Sequence, residues 1–224
     1  MQRFGFEIGT YRPVAPRRQQ ILTARGIDLV LDVGAHHGDY VTELRGAGYT
    51  GSVISFEPGQ AQFAVLGQTA ANDPRWAIHK VALSDENGEA QLSVGDLFSS
   101  LLKSNDGLTS IWPEATSKEI ELVTTARLDD FDNVASRCKA SKPLLKLDVQ
   151  GHEMGVLAGA TQTLAEVDVI EVELTITELY DRQPLIVEIL RYLDDRGFAL
   201  VSLDPVSRDY QTGHYYQFDG ILVR

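Results

Sequence analysis

The stretch that decides the fold is IDLVLDVGAHHGDY, residues 27–40. A short apolar run ends at Gly34, which reads as a buried strand closed by a turn that needs no Cβ. A short helix follows, with Val41 and Leu44 on one face, and it ends near the Gly46–Gly48 segment.

Outward from there the unit repeats. GSVISFEP (51–58) is a second strand stopped by Pro58, and QAQFAVLGQTAAND (60–73) is a helix that must stop before Pro74. WAIHKVALS (76–84) reads as a third strand, DENG (85–88) as a turn, and EAQLSV (89–94) as its hairpin partner. Residues 95–122 show no clear period, and a loop of that length is usually functional. IELVTTARL (120–128) is a strand, and 129–139 is a helix with Asp129 or Asp130 as N-cap. Strand 143–149, helix 153–165, strand 167–174 and helix 184–196 follow. Strands 198–203 and 216–223, joined by a loop over 204–215, close the chain. Strands alternating with helices of this length predict βαβ units and a parallel sheet. The last two strands have no helix between them and read as antiparallel neighbours at one edge. The expected organisation is a leader over 1–26 and a single domain over 27–224. The basic pair at 17–18 reads as solvated surface.

Composition narrows the partners. The 224 residues carry a formal charge of −12, which repels phosphate backbones and anionic lipid. Cys138 is the only cysteine, so no disulfide forms within the chain. The start lacks the apolar run of a signal peptide, and no segment approaches a membrane span. Cytoplasmic localisation, without nucleic-acid binding or membrane insertion, is the expectation.

Ligands of parallel α/β sheets bind beyond the carboxyl ends of the strands. There the chain places DVGAHHGDY, FEP, ALSD, DVQGHE and ELT. The G-x3-G spacing of Gly34 and Gly38 is not the G-x-G-x-x-G of dinucleotide sites. Glu57, at the exit of the second strand, is placed to accept bonds from both hydroxyls of a ribose.

LVLDVGAHHGDY, VISFEPG, VALSDENG, LLKLDVQGHEMGVLAGA, VELTITELYDRQP and FDGILV resemble the FkbM-type S-adenosylmethionine-dependent methyltransferases over residues 27–223. KLDVQGHEMGVLAGA is the most specific of these pieces. The resemblance implies a class I methyltransferase fold: a Rossmann-like three-layer α/β sandwich on a seven-stranded, mostly parallel sheet with one antiparallel strand near the edge. It implies that Asp32, Gly34, Ala35 and Gly38 form the loop beneath the methionine part of S-adenosylmethionine. Glu57 would hold the ribose, Ala82 and Leu83 would lie along the adenine, and Asp148 would sit beside the methyl donor.

Methyl transfer to an alcohol needs alignment and removal of a proton. Asp148, Glu173 and His152 are the catalytic candidates, although the resemblance does not carry His152 over. Asp148, Glu153 and Glu173 offer oxygen ligands for a divalent metal, but their spacing matches no metal motif and a metal is not favoured. Ser99, Ser100, Tyr180 and His214 are candidates for the acceptor wall. The expected function is O-methylation of a hydroxyl on a sugar or glycosylated natural product. A nicotinamide-dependent oxidoreductase and a non-catalytic cofactor-binding partner subunit remain as alternatives.

Overall fold

The computed structural model describes residues 14–95, 98–112, 115 and 119–224. Helix α1 (Val14–Arg25) leads into β1 (Leu29–Val33), α2 (Asp39–Gly46), β2 (Ser52–Phe56), α3 (Gln60–Ala70) and β3 (Trp76–His79). Then come β4 (Ala82–Leu83), β5 (Gly88–Val94), α4 (Asp106–Ile111), β6 (Glu119–Ala126) and α5 (Asp132–Lys139). The chain closes with β7 (Pro143–Leu147), α6 (Glu153–Ala158), α7 (Thr161–Leu164), β8 (Val169–Thr175), α8 (Ile186–Asp194), β9 (Ala199–Arg208) and β10 (Tyr215–Val223).

Seven strands form one sheet in the order β3-β2-β1-β7-β8-β10-β9. All pairs are parallel except those of β10, which runs antiparallel to both β8 and β9. The order reverses between β1 and β7, where a crevice opens at the strand ends. Strands β1, β7 and β8 are buried along their whole length, which explains their near-continuous apolar runs. One core, with Leu31, Leu145 and Ile170, lies on one face of the sheet; the other, with Val30, Leu144 and Val169, lies on the opposite face.

Several expectations are corrected. The run 76–84 is two strands. β3 ends at His79, and β4 leaves the main sheet to join a second one of order β4-β6-β5. The segment 89–94 is therefore not the hairpin partner of the third strand. β5 pairs antiparallel with β6, and β4 lies parallel on the other side of β6. The span 95–122 contains α4, capped by the Asn105 side chain, which accepts from the Gly107 and Leu108 N–H groups.

The expected helix 153–165 breaks into α6 and α7, because Gly159 lies against the Ser84 carbonyl and leaves no room for a Cβ. Asp129 does not cap α5. Its carboxylate accepts the Gln162 and Thr163 N–H groups, each at 2.9 Å, and so caps α7. Half of the connection over 204–215 is strand, since β9 runs on to Arg208 and β10 begins at Tyr215.

The basic pair is not solvated surface. Arg18 is buried and makes a bidentate contact with Glu171, with N–O distances of 2.6 and 2.8 Å, while Arg17 pairs with Asp204. Helix α1 is thereby pinned to the sheet at the site described next. Among the described residues, no helix is long and apolar enough to cross a membrane.

Candidate active site

Strand register assembles the site. Ser55, Asp32, Lys146 and Glu171 stand side by side on β2, β1, β7 and β8. The period-two alternation of a strand carries the same face forward to Asp148 and Glu173. Glu173 is in turn opposite Asp219 of β10. One polar row lies below the strand ends, and a second row opens above it.

The lower row is closed and hydrogen-bonded. Trp76 donates to Ser55 Oγ, and Ser55 donates to Asp32 Oδ2, both at 2.9 Å. Lys146 Nζ lies 3.2 Å from Asp32 and 3.6 Å from Asp148, and donates to the Gly34 carbonyl at 2.9 Å. Burial opposes the Lys146 charge, but Asp32 and Asp148 outweigh it and raise its pKa above the usual lysine range. The Tyr40 hydroxyl donates to Glu171 at 2.8 Å, beside the Arg18 clamp.

Above this floor is a cavity of about 360 Å3. Its wall includes Gly34, Ala35, Glu57, Ala82, Leu83, Ser99, Ser100, Asp148, Gln150, His152, Glu173 and Asp219. Asp32 and Gly38 do not line it. Asp32 is fully buried in the floor, and Gly38, at φ 89°, takes the positive-φ turn where a Cβ would press on the Trp76 ring. A Cβ on Gly34 would fall on the Asp148 carbonyl, so this glycine brings β1 and β7 together beneath the cavity.

Glu57 accepts the His36 N–H at 2.8 Å and the Gly59 N–H at 2.9 Å. Burial nevertheless raises its pKa above the ordinary value. Each carboxylate oxygen keeps capacity for another donor.

Gln150 ties the upper row together. Tyr180 donates to its Oε1 at 3.2 Å, which leaves Nε2 to donate to Asp148 at 2.9 Å and to Glu173 at 3.1 Å. Gln217 donates to Glu173 at 2.7 Å. Burial, then Asp148, Glu153 and Asp219, raise the Glu173 pKa well above its ordinary value. Burial pushes Asp219 up to about 7, with Glu171 and Asp148 adding to the shift. Asp148 is the open member of the set, its side chain 40% exposed. His152 Nε2 lies 2.9 Å from Ser84 Oγ, and burial lowers its pKa.

Not every candidate gathers here. Glu153 turns away and accepts the Val149 and Gly151 N–H groups at 3.2 and 3.1 Å, with burial pushing its pKa up to about 7. Among the described residues, the group of metal-ligand type whose donor atoms come within 4.8 Å of one another is His36, His37 and Asp39. Asp148, Glu153 and Glu173 do not form such a group. Tyr180 is buried behind Gln150 and does not line the cavity. His214 is exposed at the β9–β10 connection, away from the lining.

Ser99 and Ser100 do line the cavity. Ser100 donates to the Gln150 carbonyl at 2.7 Å, and Ser99 closes a local turn onto the Gly95 carbonyl at 2.8 Å. Sequence reasoning missed Lys146, Glu171 and Asp219. The signal was the strand period, which puts Lys146 with Asp148 and Glu171 with Glu173.

A seven-stranded sheet with a single antiparallel strand inside one edge, and a carboxylate-lined crevice at its order reversal, is the class I methyltransferase fold. Solved structures agree on that fold. The methyltransferase FkbM of Methylobacillus flagellatus superposes with a TM-score of 0.56 at 14% identity, over 87% of this chain and 43% of that one. This chain thus spans less than half the length of that protein. The magnesium protoporphyrin IX methyltransferase of Synechocystis gives 0.52 at 15% identity, over 94% of this chain and 77% of that one.

The model of the methyltransferase FkbM domain matches residues 32–200, so the chain belongs to the FkbM methyltransferase family. It is 28% identical to the 2-O-methyltransferase NoeI of Sinorhizobium fredii, over 79% of this chain and 74% of that protein. It is 29% identical to the 31-O-demethyl-FK506 methyltransferase FkbM of Streptomyces tacrolimicus, over 80% and 76%.

Proposed function

We propose that this chain uses S-adenosylmethionine to methylate a hydroxyl group of a sugar or a glycosylated natural product. The observation that carries the reading is the charge of the cavity. Among the described residues, Asp39, Glu43, Glu57, Asp148 and Glu171 line it against Arg18 and Lys146, while Glu173 and Asp219, held by burial toward their neutral forms, add hydrogen-bonding groups more than charge. Such a lining attracts a sulfonium cation and repels a pyrophosphate. It therefore speaks against the nicotinamide alternative, as does the G-x3-G spacing.

The residues fit the cofactor. Glu57 keeps acceptor capacity for a ribose, and Ala82 and Leu83 offer an apolar strip for the adenine. The Gly34–Ala35 turn lies at the base of the cavity. Bound there, S-adenosylmethionine supplies an electrophilic methyl group on sulfur.

The chain's own groups handle the acceptor. Asp148 accepts the proton of the incoming hydroxyl. Lys146 beneath it compensates its negative charge before the hydroxyl arrives. Gln150, fixed by Tyr180, holds Asp148 and Glu173 in register. The relatives' names, both O-methyltransferases, support oxygen as the acceptor atom. Nothing in this arrangement calls for a metal.

The test is incubation of the protein with S-adenosylmethionine and a panel of sugars and glycosides, read by mass spectrometry. A mass gain of one methylene on a saccharide, absent with Asp148→Asn, supports the reading. Methylation confined to amines or to protein would overturn the acceptor assignment.

A further inference from the structure

A second concavity lies at the β9–β10 connection, beside the carboxyl end of β9 and the amino end of β10. Trp112, Tyr210, Tyr215, Tyr216, Arg208 and Gln211 are among its lining residues, and its volume is about 1030 Å3. It is joined to the cavity by a chain of rings. Ser99 lines the cavity, and its neighbour Phe98 lies 5.4 Å, ring to ring, from Trp112. Trp112 lies 5.7 Å from Tyr216. Tyr216 in turn precedes Gln217, which donates to Glu173 inside the first site. Packed side chains therefore link the walls of the two depressions.

The composition of the groove selects its occupant. Aromatic faces set among hydrogen-bonding groups suit a ligand with apolar C–H faces and hydroxyls around its rim. A saccharide has both. Tyr210 is 84% exposed, so its ring is accessible to a ligand. Arg208 lies 4.6 Å over the Tyr210 ring and 5.8 Å from that of Tyr215, and donates to the Tyr215 hydroxyl at 3.3 Å. Asp209 accepts from the Gln211 N–H at 2.7 Å and from the Thr212 hydroxyl at 2.6 Å, so the turn that presents these rings is braced beforehand.

Among the described residues, Arg208 is the one basic residue in the lining, and it is offset by Asp209. That balance, in a chain of net charge −12, disfavours nucleotides and acidic polymers. Size points the same way. A cavity of about 360 Å3 is at the small end for a ligand site, so an acceptor of several rings must extend out of it when the cofactor is in place.

We infer that this aromatic groove is a binding subsite for a neutral oligosaccharide, holding the sugar units that continue from the one being methylated. The inference rests on the methyltransferase reading for its link to catalysis, but saccharide binding in the groove is testable without turnover.

The experiment exposes the full chain to an array of neutral and acidic oligosaccharides, then titrates the strongest binder while following tryptophan fluorescence. The chain has two tryptophans, and Trp76 is buried in the core, so a change on titration reports Trp112. Tyr210→Ala and Arg208→Ala alter exposed side chains. Each is expected to weaken saccharide binding about tenfold, equivalent to about 1.4 kcal/mol. Both should leave S-adenosylhomocysteine affinity unchanged.

An array that stays blank while S-adenosylhomocysteine binds normally overturns the groove assignment. So does saccharide affinity unchanged from wild type in both variants, or a preference for acidic glycans. If wild-type protein fails to bind S-adenosylhomocysteine yet binds saccharide through Tyr210, the methyltransferase reading fails and the groove stands.

Discussion

Asp148 and Glu173 end up together because β7 and β8 are parallel neighbours in register, with Leu147 opposite Val172. They are not equivalent. Glu173 is buried and accepts two amide donors, whereas Asp148 opens to the cavity with Lys146 behind it. We therefore propose Asp148 as the general base, with Glu173 as its support. Asp148→Asn should cut turnover by about 10²-fold or more, the usual worth of base catalysis. Its S-adenosylhomocysteine affinity should stay within a few-fold, because the amide keeps the side chain's shape. Wild-type turnover at saturating acceptor would make the carboxylate structural and turn attention to His152, which shares the cavity. At Gly34 the lesson differs. Its φ of 77° and the nearby Asp148 carbonyl mean that a side chain there disturbs the β1–β7 junction before it meets any ligand.

The break between α6 and α7 shows how an element is shaped by a contact made elsewhere. Gly159 rests on the Ser84 carbonyl, and the Ser84 hydroxyl meets His152. Just before Ser84 are Ala82 and Leu83, the apolar strip of the cavity. Gly159→Ala should force this contact apart at a cost of about 1–3 kcal/mol. For a domain of this size that lowers Tm by about 3–10 °C, and displacement of the strip should weaken S-adenosylhomocysteine binding as well. An unchanged Tm by calorimetry would mean that the two segments are free to separate. The same contact explains what the sequence hid. Periodicity over 153–165 is continuous, and nothing local announces that a distant carbonyl needs the space at Gly159. The run 76–84 likewise carries no breaker to show that β4 joins a different sheet. By contrast, the β1, β2, β7 and β8 runs were legible because burial on both faces writes itself as apolar sequence. Glu57, Ala82, Leu83, Asp148, His152 and Glu173 were legible because each sits at or near a strand exit. Arg18 and Asp219 come from the two ends of the chain, and only the folded sheet brings them to the same cavity.

At the scale of the whole molecule, the cluster of buried acids should make stability pH-dependent. The folded state raises Asp219 from its ordinary 3.8 to about 7 and Glu153 from 4.5 to about 7. Both hold their protons more tightly in the fold than in the unfolded chain. Their contribution is present at low pH and is lost as pH rises through about 7. His79 and His152, lowered from 6.5 by burial, act in the opposite direction. The readout is therefore the difference between Asp219→Asn and wild type. Between about pH 5 and pH 8 the variant should gain at least about 1 kcal/mol relative to wild type, seen as a widening Tm difference. A constant difference would show that Asp219 titrates normally. The cavity's remaining carboxylates, among them Asp39, Glu43 and Asp148, underlie the functional account, since they favour a sulfonium over a phosphate. That account is tested most directly by isothermal titration of S-adenosylhomocysteine into wild-type protein and into Glu57→Gln, with circular dichroism confirming the fold of each. It predicts one-to-one binding by the wild type, weakened about tenfold or more in the variant, as expected for loss of hydrogen bonds to a charged acceptor. Equal affinity of the two proteins, or no binding by the wild type, would contradict it.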